Sequence, residues 1–156
     1  MKKIILSAII FFIGVVSFAA DFSTFKLDNN QTVVIQEMHD NPIVIIDTWI
    51  KTGSINETDE NNGVAHFLEH LFFKGTQKHP AKEFDSILES KGAVTNAATS
   101  KDFTHYYILI PSKYFDLALD LHSDMLLNPL IPRKELEKER KVVIEEISKN
   151  NDNPSN

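Results

Sequence analysis

Apolar positions follow two different periods along this chain. Phe22 to Leu27 and Thr32 to Glu37 flank the polar run Asp28-Asn29-Asn30-Gln31, a pattern that predicts a hairpin. Ile43 to Ile50 is β-branched and apolar, which predicts a central strand with Trp49 in the core. Lys51 to Asn62 is a polar loop. Helical spacing then takes over, from Gly63 to Gly75, and again from Ala81 to Lys91 with Phe84, Ile87 and Leu88 on one face. Ala93 to Thr99 and Phe103 to Ile110 predict two strands joined at Ser100-Lys101-Asp102. Pro111-Ser112 opens a third helix on which Phe115, Leu119, His122 and Met125/Leu126 keep the spacing, and Pro132 opens a fourth that runs to about Lys149. The order βββ-α-α-ββ-α-α predicts an α+β domain of two layers, a mixed and mostly antiparallel sheet packed by helices.

The segment Gly63-Val64-Ala65-His66-Phe67-Leu68-Glu69-His70-Leu71-Phe72-Phe73-Lys74-Gly75 carries the chemistry. On a helical wheel with His66 at zero, His70 falls near ~40° and Glu69 near ~−60°, while apolar residues fill most of the circumference. A helix of that kind belongs in an interior, where charge persists only if paired, hydrogen-bonded or bound to metal. Two histidines at i and i+4 project side by side and suit two ligands of one Zn²⁺. A single buried histidine is more commonly a hydrogen-bonded core residue, so the metal reading needs a third ligand from elsewhere.

The fourth helix offers it. With Leu136 at zero, Val143 and Ile147 lie within ~20° and form the buried stripe, and Glu145 faces solvent. Glu137 also reads as solvated. Glu139 and Glu146 fall together on one border of the stripe, at ~−60° and ~−80°. Glu146 is the candidate third ligand, with Glu139 behind it. His39, His79, His105 and His122 read as surface or strand residues.

Composition narrows the setting. The 156 residues are 42% hydrophobic and 24% charged, enough for one modest core. Lys2 and Lys3 precede an apolar run from Ile4 to Val16 and then Ser17-Phe18-Ala19, the pattern of a secretory signal peptide cut after Ala19. The alternative is an uncleaved anchor, although the run is at or below the short limit for a spanning helix. Export to the periplasm or the extracellular space is expected, with no stable membrane span after cleavage. Loss of the signal takes two positive charges from a chain already at −6, which disfavours nucleic acid as a partner. There is no Cys, so ligands come from His and carboxylates. Residues 20–150 are expected to form the N-terminal part of a catalytic domain, and 151–156 a polar tail or linker.

The run from Gly63 to Thr76, followed by Glu139-Arg140-Lys141-Val142-Val143-Ile144-Glu145-Glu146, whose last residue lies seventy-six positions after His70, resembles the pitrilysin family of inverted-motif zinc peptidases. That family includes insulin-degrading enzyme and mitochondrial processing peptidase. The resemblance covers residues 22–150. It implies that His66, His70 and Glu146 bind one Zn²⁺, that Glu69 is the general base and that Glu139 supports the site. Gly92 to Thr99 is similar to the family's substrate-binding edge strand, which would set Asn96 and Ala97 against the peptide backbone. Asn96 also reads as a polar residue near a turn. The resemblance implies a zinc endopeptidase acting on extended peptides or small proteins. It further implies a homologous C-terminal domain or partner subunit that completes the site. Families of this type also hold non-catalytic peptide-binding or assembly subunits.

Overall fold

The computed structural model describes residues 22–151; the expected signal segment and the tail from residue 152 lie outside them. Two units are distinguished, with the boundary at Asn41/Pro42. The first contains an antiparallel hairpin of β1 (Phe22–Lys26) and β2 (Thr32–Gln36), with Phe22 opposite Gln36 and Lys26 opposite Thr32. Its turn closes through Leu27 N–H to Gln31 C=O and Asn30 N–H to Leu27 C=O, with Asn30 at φ 66°. Asn tolerates that left-handed conformation better than most residues.

The second unit is built on a three-stranded antiparallel sheet in the order β3-β5-β4, from β3 (Ile43–Ile50), β4 (Val94–Thr99) and β5 (Thr104–Pro111). Every pairing among the described strands is antiparallel. Four helices accompany the sheet: α1 (Val64–Phe72), α2 (Ala81–Ser90), α3 (Phe115–Leu127) and α4 (Arg133–Asn151). Among the described residues no helix is long and apolar enough to cross a membrane.

Alternation along the strands divides the sheet's two faces. Tyr106, Ile108 and Ile110 of β5 are buried with Phe84 and Leu88 of α2 and Ala118, Leu121 and Met125 of α3. Val44, Ile46, Ile50 and Ala97 pack against that cluster from the flanking strands. The opposite face carries Trp49, which is 57% exposed rather than in the core. The period of two explains this: in β3 the inward positions are Val44, Ile46, Thr48 and Ile50, so Trp49 must point outward. There it stacks on His105 at 4.5 Å between centroids, and His105 Nδ1 lies 3.2 Å from Asp47.

The inward face of α3 also differs from the expected stripe. Ala118, Leu121, His122, Asp124 and Met125 are buried, while Phe115 and Leu119 are exposed. His122 is therefore an interior residue, 2% exposed, and not a surface or strand residue. Its Nε2 is paired with the Thr48 hydroxyl at 2.8 Å, and burial pushes its pKa below the usual histidine value against the opposing pull of Asp47. Helical spacing marked His122 correctly as sharing a face with Met125; its polarity obscured which face that was.

At the C-terminal end of α3, Asp124 accepts hydrogen bonds from the Thr76 hydroxyl and, at 2.9 Å, from the Asn128 amide. The Thr76 bond foremost, with Asn128, holds the Asp124 carboxyl below its usual range despite burial. This fixes the segment that follows α1, together with Leu130 N–H to Gly75 C=O at 2.8 Å.

The loop entering α1 is held against the β4–β5 turn by Ser54 N–H to Ser100 C=O and Ile55 N–H to Lys101 C=O. Gly53 permits this approach, since a Cβ there would sit 2.3 Å from Ser100 O and 2.7 Å from Lys101 O. Both obstacles are backbone. Gly53→Ala should destabilise the domain by about 1–3 kcal/mol, read as a lower thermal midpoint. An unchanged midpoint would show that the loop and turn can separate freely.

Candidate metal centre

Helix α1 begins at Gly63, whose φ of 88° lies in the left-handed region where an L side chain is strained. Gly has no side chain with which to cap the helix. Glu57, upstream in the loop, does so instead: its Oε2 accepts from Gly63 N–H at 2.7 Å and its Oε1 from Ala65 N–H at 2.8 Å. A carboxylate on the first amides of a helix satisfies orphan donors and complements the dipole. Glu57→Ala should cost about 1–2 kcal/mol and loosen the turn bearing His66. Amide exchange at Gly63 and Ala65 checks this directly: faster exchange is expected, and unchanged protection would deny the cap its role.

One turn apart on α1, His66 and His70 place their rings 4.9 Å between centroids, with the two Nε2 atoms 3.2 Å apart. Helix α4 packs on α1 and supplies Glu146, whose Oε2 is 3.7 Å from His66 Nε2 and 3.6 Å from His70 Nε2. These three side chains form a group able to hold a metal ion. Donors bound tetrahedrally at zinc distances lie about 3.3–3.6 Å apart, so the triangle has the size one cation requires. All three residues are partly exposed.

Glu139 sits two turns before Glu146 on α4 and is the more deeply buried of the two, 5% exposed. Its Oε2 lies 3.4 Å from His70 Nδ1 and its Oε1 2.9 Å from Lys74 Nζ. Burial pushes its carboxyl up, but the bond and charge of Lys74, joined by those of His70, outweigh that and hold it below the usual range. A carboxylate on Nδ1 fixes the ring and turns Nε2 toward the triangle.

Glu69 precedes His70 on the same helix. Its Oε2 accepts a hydrogen bond from the Thr99 hydroxyl of β4, the strand against which α1 packs. On the same strand Asn96 is exposed, and its Oδ1 accepts from Ala97 N–H at 2.9 Å.

Helix α1 itself is less enclosed than its apolar wheel implies. Ala65 and Leu71 are buried, whereas Val64 and Leu68 are exposed. Beside it, Val64, Phe67, Val143 and Ile147 line an open apolar cleft of about 410 Å³ with Arg140 at its rim. Ile147, expected in the buried stripe, is exposed there.

Three residues at this centre escaped sequence reasoning. Lys74 pairs with Glu139 of α4, a partner no local pattern indicates. Glu57 caps groups six and eight positions away, beyond any local capping pattern. Thr99 did leave a trace, as the last inward position of β4, but nothing in the strand pattern points to Glu69.

The fold is shared with part of a protease from Helicobacter pylori, whose crystal structure superposes with a TM-score of 0.78 at 35% identity, over 82% of this chain and 31% of that one. The insulinase model, peptidase family M16, matches residues 32–156, and the chain belongs to that family. A Bacillus subtilis protein named as a zinc protease, YmxG, is 42% identical over 128 residues, 82% of this chain and 29% of that protein. The beta subunit of the mitochondrial-processing peptidase of Dictyostelium discoideum is 38% identical over 105 residues, 67% of this chain and 22% of that protein. Human cytochrome b-c1 complex subunit 1 is 36% identical over 139 residues, 89% of this chain and 29% of that protein. The chain thus spans under a third of each of these relatives.

Proposed function

We propose that this chain carries the metal-binding part of a zinc endopeptidase that hydrolyses extended peptides or small proteins. The convergence of His66 Nε2, His70 Nε2 and Glu146 Oε2 within 4.8 Å of one another, beside Glu69, supports this reading most strongly. These three residues would hold Zn²⁺, and Glu139 with Lys74 would orient His70. Bound there, Zn²⁺ supplies a Lewis acid that polarises a carbonyl and acidifies water. Glu69 takes a proton from the attacking water and delivers it to the leaving amine. The free edge of β4, at Asn96 and Ala97, receives the peptide backbone by strand addition, which gives affinity with loose sequence demands.

Names of relatives favour the reading, several being zinc proteases. The similarity to cytochrome b-c1 subunits supports a second one, a non-catalytic assembly subunit. A homologous C-terminal domain or partner subunit belongs to the first proposal, since relatives extend well beyond the matched region. So does export directed by residues 1–19, for which a mature chain beginning at Ala20 is expected.

The test is peptide hydrolysis by the complete protein before chelation, after it, and after re-addition of one zinc per site. Activity lost and then restored supports the endopeptidase. A zinc-loaded protein that binds peptides without cleaving them favours the assembly subunit.

A further inference from the structure

The edge strand and the base meet at one residue, Thr99. It closes β4, and its hydroxyl is 2.5 Å from Glu69 Oε2. An ionised carboxylate only accepts, so the hydroxyl must donate. Thr104 lies opposite Thr99 in the strand register and does not compete for that proton. Its own single proton goes to Thr52 C=O at 3.0 Å, nearer than the Thr99 hydroxyl oxygen at 3.4 Å. With Oε2 engaged, Oε1 is the Glu69 oxygen left to accept a proton from water.

The backbone of the same residue faces the other way. Ser100 N–H donates to Phe103 C=O at 2.8 Å, which makes 100/103 a hydrogen-bonded pair. Alternation along an antiparallel ladder then makes 99/104, 97/106 and 95/108 non-bonded pairs, with their peptide groups on the outer side of β4. Ala97 N–H fits this placement, because its partner is the Asn96 side chain and not β5. Thr99 therefore presents N–H and C=O to the open edge while its side chain holds the base.

We propose that Thr99 is a positioning residue, whose hydroxyl sets the Glu69 carboxylate at a fixed offset from a peptide laid along β4. The proposal rests on the endopeptidase reading above and adds to it the device that registers substrate against base. A rotation of Glu69 about its own side-chain torsions would otherwise carry Oε1 away from the water it must deprotonate, and misplacements of about 1 Å can cost on the order of a hundredfold in rate.

Thr99→Val keeps the strand and its edge backbone but lacks the donor; Thr99→Ser keeps the donor. In the complete zinc-loaded protein, Thr99→Val should lower kcat about ten- to hundredfold with KM and zinc content unchanged. Thr99→Ser should recover most of that loss. A second measurement uses metal-free protein and no substrate. Thr99→Val should lower the thermal midpoint of the wild type but not that of Glu69→Ala, since the two groups share one contact. Wild-type kcat in Thr99→Val, equal impairment in Thr99→Ser, or equal midpoint shifts in both backgrounds would each overturn the positioning role alone. A zinc-loaded wild type that cleaves no peptide would overturn the endopeptidase reading itself, and the positioning role with it.

Discussion

Glu69→Gln should lower kcat for peptide hydrolysis by about a thousandfold, within the range expected for loss of a general base. Gln matches Glu in shape and keeps an oxygen able to accept from Thr99 Oγ1, so the contact between α1 and β4 is preserved. It cannot take a proton from water at neutral pH. The metal donors His66 Nε2, His70 Nε2 and Glu146 Oε2 are untouched, and zinc content should equal that of the wild type. KM should change little, because the peptide is proposed to dock on the edge of β4 and not on Glu69. Steady-state kinetics beside metal analysis on the same preparation separates these terms. Undiminished turnover would remove Glu69 from the chemistry.

Glu146→Ala should weaken zinc binding by well over a hundredfold, since it deletes a donor outright. Glu139→Gln touches no donor and should weaken it by about ten- to hundredfold, the usual cost of losing a partner that orients a ligand. The two substitutions also differ in their effect on stability. Glu146 is partly exposed, and its loss leaves no charge stranded. Glu139 is buried against Lys74 Nζ, so its neutralisation leaves an ammonium without its counter-charge. Metal-free Glu139→Gln should therefore unfold at lower temperature than metal-free Glu146→Ala. Competition against a chelator of known affinity, with thermal melts of the metal-free proteins, checks both orders. Equal zinc affinity in Glu146→Ala and wild type would show that α4 contributes no ligand.

The parts of this domain governed by local periodicity were legible in its residues. Among the described residues five strands and four helices appear in the expected order, and Ile43–Ile50 holds its expected span but lies at an edge of its sheet, where Thr104–Pro111 takes the central place instead. The helical spacing of His66 and His70 and the shared border of Glu139 and Glu146 put four side chains into one cluster. What stayed hidden depended on tertiary partners. Trp49 was assigned by its hydrophobicity, while its place in β3 sent it to the outer face. His122 was assigned by polarity, yet Thr48 across the layer gives it a buried partner. The relative depths of Glu139 and Glu146 also required structure, because a wheel gives direction around an axis and not the distance to what lies opposite. Glu57 and Lys74 act across loops or between helices, where no sequence period applies.

The convergence of α1 and α4 on a single cation is tested most directly by zinc K-edge absorption on the complete protein at one zinc per chain. A four-coordinate ion is expected, with two imidazole nitrogens at about 2.0–2.1 Å and oxygen neighbours at about 2.0–2.2 Å. One imidazole should disappear in His66→Ala. A six-coordinate shell of oxygen alone, or a shell unchanged in His66→Ala, would contradict that convergence.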